Sequence, residues 1–150
     1  MNEYKIEDIS IGMKEEFQVT VTEEMLEMFC KLTGDCNPLH QNTGFAKICG
    51  YPDRVVYGML TGSFLSTLAG MYLPGKYSLI QGVEVKFLKP VFPGDTLMIA
   101  GYVDEVHENF RMMKLKVLIM NQKEEKVLKG KMQIGWLSEA CDFNKGGKSC

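Results

Sequence analysis

The sequence predicts an α+β domain, an antiparallel sheet wrapped around one long central helix. Three observations carry this expectation. Residues 55–75 hold no charged side chain, so the stretch is suited to burial on every side. After Gly75 the apolar spacing changes from the helical 3.6 to the period of 2 that a strand imposes. The alternating runs beyond it are separated by turn-forming clusters such as Phe92-Pro93-Gly94-Asp95 and Asn121-Gln122-Lys123-Glu124, so they should pair as an antiparallel meander.

In chain order, Phe17 to Val21 alternates weakly and reads as a short strand. Thr20 or Thr22 is suited to cap the helix that follows, and Glu23 and Glu24 sit in its first turn, where the helix dipole favours acidic groups. Met25, Leu26, Phe29 and Leu32 recur at helical spacing as one buried stripe, and Gly34 stops the helix. Asn37-Pro38 cannot simply continue it, because proline pushes the residue before it out of the helical region. Residues 35–41 are therefore expected as a loop, followed by a short helix from Thr43 to Cys49, a turn over residues 50–53, and the uncharged helix from about Gly58 to Leu73. Leu79, Gln81, Val83, Val85 and Phe87 share one face of the first long strand. The next three strands are lined by Leu97, Ile99, Gly101 and Val103, by Met113, Leu115, Val117 and Ile119, and by Leu128, Met132, Ile134 and Trp136. One helix cannot cover so much sheet, and joining two copies edge to edge would hide unpaired backbone and extend the core. A homodimer is expected.

The 150 residues suit a single domain over 1–137 with a polar tail over 138–150. A net charge of −2 supplies no basic face for nucleic acid. The uncharged stretch is long enough for a bilayer, but Gly58, Thr61, Gly62, Ser63, Ser66, Thr67 and Gly70 make it small and polar rather than oily, so no membrane span is expected. The N-terminus lacks a basic segment followed by an apolar run, so no signal peptide is expected. Five scattered cysteines without a C-x-x-C pair form neither a zinc site nor a disulfide framework, and they read as free thiols in a reducing cytoplasm.

Two short segments could carry chemistry. Asp35 and His40 lie five residues apart on a stretch bent by Asn37-Pro38, where a carboxylate and an imidazole can converge on one water and move its protons. The same Gly-Asp-x-Asn-Pro residues are also good turn formers, so spacing leaves both readings open. Gly58 opens the uncharged helix, where free N–H groups and the dipole would stabilise charge on a thioester oxygen; alternatively it only permits close packing against the sheet. His107, among Glu105, Glu108 and Asn109, reads as a surface residue at a strand end.

Thr33-Gly34-Asp35-Cys36-Asn37-Pro38-Leu39-His40 resembles the hydratase signature of MaoC-like dehydratases and (R)-specific enoyl-CoA hydratases. The resemblance continues through Phe45-Ala46, Val55-Val56-Tyr57-Gly58-Met59-Leu60, Leu73-Pro74-Gly75 and Val91-Phe92-Pro93-Gly94-Asp95. It implies a hotdog fold, a homodimer, and reversible syn hydration of trans-2-enoyl-CoA, with coenzyme A as substrate handle and neither metal nor other cofactor. By the same resemblance Asp35 and His40 are the catalytic pair, Gly58 binds the thioester oxygen, Ser66 lines the site and Asn37 shapes the catalytic loop. Many relatives carry histidine where Tyr57 stands, and the larger ring would either reshape the acyl pocket or alter the pair's hydrogen bonding. The rival expectations are a dehydratase acting on acyl-carrier-protein thioesters, a hotdog thioesterase, and a non-catalytic acyl-thioester binding subunit.

Overall fold

The structure, a computed structural model, describes residues 1–137; the expected polar tail, and with it the expected domain boundary, lies outside the described residues. Five strands, β1 (Lys14–Thr20), β2 (Ser78–Phe87), β3 (Thr96–His107), β4 (Met112–Met120) and β5 (Lys126–Trp136), form one antiparallel sheet in the order β1-β3-β4-β5-β2. The meander is thus β3-β4-β5, and β1 and β2 are its two edges. Alternation places the residues expected: Leu97, Ile99, Val103, Met113, Leu115, Ile119, Leu128, Met132 and Ile134 are all buried on one face.

After α1 (Glu23–Thr33), α2 (Pro38–Gln41) and α3 (Thr43–Ile48), α4 (Gly58–Thr67) lies on that face and passes without a break into one wide π turn, Leu68–Tyr72. The single helix expected from Gly58 to Leu73 therefore changes its winding at Leu68. The wider turn, closed by the Leu73 N–H donating to the Leu68 carbonyl at 2.8 Å, lets Leu68, Ala69 and Leu73 all face the core. Phe17 of β1 stacks on Tyr72 at 4.8 Å and holds the turn against that edge. Bare backbone at Gly101 lets the helix settle on β3, since a Cβ there would stand 2.9 Å from a Leu68 methyl.

Two surfaces differ from the all-round burial expected. Met59, Ser63, Ser66 and Thr67, at i, i+4, i+7 and i+8, form an exposed and uncharged face of α4. On β2 the register shifts between Ile80 and Gly82, so Leu79, expected on one face with Val83 and Phe87, pairs with Gly135 on the opposite face. Val83 and Phe87 stay 51% and 49% exposed, because the helix lies over the inner strands and leaves this edge open. Leu32, placed in the stripe of α1 (Glu23–Thr33) by its spacing, also faces solvent, whereas Leu26 is fully buried. Among the described residues no helix is long and apolar enough to cross a membrane. Since Leu68 joins helix to sheet with no exposure, Leu68→Ala should lower unfolding free energy by about 2–5 kcal/mol in urea titration.

Candidate active site

Helix α1 delivers the first element of the site. Thr22 caps it by accepting from the Met25 N–H at 3.2 Å, and Gly34, at φ 75°, turns the chain out of the helix in the left-handed region glycine favours. The next residues fold on themselves: Asp35 Oδ1 accepts from the Asn37 N–H at 3.1 Å, and Asn37 Oδ1 accepts from the Leu39 N–H at 2.9 Å. With Pro38 at its first position, a single helical turn follows, α2 (Pro38–Gln41), where a loop was expected. The pair that forbids continuation of α1 is also the pair that starts α2. Asn37 thus spends its side-chain oxygen on the backbone of this turn rather than on a ligand.

That turn carries His40. Its Nδ1 lies 2.7 Å from the Val55 carbonyl oxygen, and a carbonyl only accepts, so Nδ1 donates. In the neutral imidazole Nε2 is then the acceptor, and among the described residues it has no partner. Asp35 is exposed, its Oδ2 bonded to no described residue, and no hydrogen bond or ion pair joins its carboxylate to His40. The two acceptors are therefore open to a third molecule.

Tyr57, for which the sequence offered a place in the acyl pocket, is not among the residues lining the cleft that holds His40 and Gly58. Only 2% exposed, it donates its hydroxyl proton to the Asp35 carbonyl at 2.7 Å and accepts from Gln41 Nε2 at 2.7 Å. Of the two alternatives for this position, the structure favours hydrogen bonding around the pair over bulk in the pocket.

Gly58 is the first residue of α4, and no side chain caps that end. Its N–H is one of the orphan donors at a helix start, with the positive end of the dipole behind it. The two readings of this glycine are compatible: a Cβ here would also stand 3.3 Å from the Phe87 ring. Gly58, His40, Tyr51, Thr61, Phe87 and Val91 line one cleft of about 370 Å³. Ser66, two turns further along, is exposed and outside that cleft within one chain.

The sequence did not single out Val55 or Gln41. Val55 acts through its carbonyl, which no side-chain pattern reports, and Gln41 matters only once Tyr57 is known to face it. His107 lies apart, on β3, with Nε2 2.8 Å from Glu105, whose carboxyl is held down to about 2 by hydrogen bonds from Lys114 and then His107. Cys30, Cys36 and Cys49 are free thiols, and no group of three or more potential metal ligands occurs among the described residues.

Sheet order and central helix define a hotdog fold, shared with solved hydratases. The MaoC-like domain matches residues 8–126, and the chain belongs to that family of hydratases and dehydratases. It is 34% identical over 103 residues to an (R)-specific enoyl-CoA hydratase of Rhodospirillum rubrum, covering 66% of this chain and 72% of that protein. An (R)-specific enoyl-CoA hydratase of Aeromonas caviae is 31% identical over 116 residues, 77% of this chain and 87% of that protein. Among solved structures, an R-hydratase from Pseudomonas aeruginosa superposes with a TM-score of 0.84 at 27% identity, covering 89% of this chain and 86% of that one. The A. caviae (R)-hydratase involved in PHA biosynthesis gives 0.83 at 29% identity, with 86% and 98% covered.

With only two histidines in the chain, the tautomer is directly readable. Long-range ¹H–¹⁵N spectra should show neutral His40 protonated at Nδ1; protonation at Nε2 would contradict the Val55 contact.

Proposed function

We propose that this chain is an (R)-specific enoyl-CoA hydratase, adding water reversibly and syn to a trans-2-enoyl thioester and acting as a 3-hydroxyacyl-thioester dehydratase in reverse. One observation carries the reading: His40, with Nε2 open, shares a cleft with the uncapped N–H of Gly58. Attack of water at the β carbon drives charge onto the thioester oxygen, so the barrier is that of an enolate-like state. The Gly58 N–H and the helix dipole stabilise that charge. His40 holds the water through Nε2, Asp35 takes its proton as the hydroxyl adds to the β carbon, and the pair returns that proton to the α carbon on the same face; as a coupled pair they share these roles. The reaction adds water across the double bond with no net redox change, so it calls for no redox cofactor; Asp35, His40 and the Gly58 N–H carry it without a metal, and coenzyme A is the handle of the substrate.

The working unit is a homodimer. β1 guards its edge with Lys14, Glu15 and Glu16, whereas β2 is ten residues long and leaves Val83 and Phe87, on its inner face, half exposed. A second copy on β2 would cover these residues together with the uncharged face of α4, where Ser66 stands. The free thiols fit a reducing, cytoplasmic setting.

Crotonyl-CoA should lose its enoyl absorbance with no release of free thiol, and Asp35→Asn and His40→Ala should each slow this by at least about 100-fold. Near wild-type turnover in both variants would end the assignment. Thiol release would indicate a thioesterase, and tight binding without turnover a binding subunit. For Gly58 a matched pair isolates the amide: Pro and Ala both add a Cβ, but only Pro removes the N–H. Tyr57, at φ −54° and ψ 127°, already has the backbone that precedes proline. Gly58→Pro should be slower than Gly58→Ala by about two to three orders of magnitude. Light scattering should give twice the chain mass, and Val83→Glu should halve it.

A further inference from the structure

Tyr57 touches every part of the proposed site without facing the cleft. Its ring lies 4.1 Å from the His40 ring, tilted by 34°, and 5.0 Å from Phe29 in α1. Its hydroxyl donates to the backbone oxygen of Asp35 and accepts from Gln41 of α2, and its carbonyl carbon is bonded to the nitrogen of Gly58. The stretch from Gly34 to Asn37 otherwise makes only short-range contacts. Gly34 bonds to Cys30, Asp35 to Thr33 and Asn37 to Asp35, while the Cys36 thiol meets that of Cys30. Among the described residues, the bond from Tyr57 is the one hydrogen bond tying this exposed stretch to a residue distant in sequence.

Resting on the hydratase reading, we infer that Tyr57 is a positioning residue that holds the Asp35 backbone, the His40 ring and the Gly58 amide in one fixed arrangement. It is not an acid or base of the reaction, because its proton is committed to a carbonyl and its ring is buried away from the cleft. Burial pushes the phenol pKa up, so the hydroxyl remains a donor across the working range of pH. The reach of a phenol matters here. An imidazole at residue 57 would end well short of a phenol's oxygen, so this chain fastens its Asp35 loop by a bond that a histidine side chain is too short to make. Orientation is worth a large share of rate in such a site, and small displacements of reacting groups are costly.

Tyr57→Phe keeps the ring and removes only the hydroxyl. With crotonyl-CoA its kcat should fall about 10- to 100-fold while KM stays within about twofold, because the bond orients the pair and does not touch the acyl chain. A role confined to general stability would not produce a split of that kind. The same substitution in the Asp35→Asn background should cost less than about twofold, since the bond acts through Asp35. Gln41→Met, which removes the donor that orients the hydroxyl but keeps the side-chain length, should lower kcat in the same direction and serves if Tyr57→Phe does not fold. Unchanged kcat in whichever of the two single variants folds, or an equal loss in the Asp35→Asn background, overturns the inference. Failure of the wild type to hydrate any enoyl-CoA would instead overturn the hydratase reading, so the two failures are distinguishable.

Discussion

Burying an uncharged helix against one antiparallel sheet is the constraint on which the rest of this structure depends. Leu60, Leu65, Leu68 and Ala69 are all buried toward the sheet face built by β3, β4 and β5, and no charged side chain occurs along the way. The π turn at Leu68 and the missing side chain of Gly101 are local adjustments to that demand. Once the helix is seated, its N-terminus has no freedom: it ends beside Phe87 at the β2 edge, and Gly58 is the residue that fits there.

Chemistry follows from where that helix end falls. An uncapped N-terminus gathers unpaired N–H groups and half a positive charge in a cleft of largely apolar lining, where such donors act most strongly on a developing anion. Tyr57, the residue before, reaches back to the Asp35 stretch, and Val55, two residues earlier, sets the tautomer of His40. Two positions on the approach to one helix, Val55 and Tyr57, thus support both proposed proton-transfer groups. A single chain leaves Ser66, outside the cleft, and Val83 and Phe87 of β2 exposed, which fits a site completed by a second copy.

Much of this was legible in the residues. Alternation marked the buried faces of β3, β4 and β5, and the bend at Asn37-Pro38 brought Asp35 and His40 into one short segment. What was not legible has definite physical causes. Alternation on β2 records that Val83 and Phe87 need cover, but not that the cover lies outside the chain, nor the bulge after Ile80 that turns Leu79 to the other face. A single turn such as α2 is too short to show a helical period, so Pro38 to Gln41 read as loop. Strand β1 begins at Lys14, three residues before its expected start, because Lys14, Glu15 and Glu16 hide an edge strand behind charge. For Tyr57 the residues left pocket shape and hydrogen bonding both open; its partner is the Asp35 carbonyl, and backbone partners leave no mark in sequence.

The account rests on a single water held by Asp35 and His40 on one face of the double bond. Hydration of crotonyl-CoA in D₂O, followed by NMR of the product's relative configuration at the α and β carbons, tests this most directly. Deuterium and hydroxyl delivered to the same face is the result predicted. Delivery to opposite faces would contradict it, because one water between these two side chains can reach the substrate from only one side.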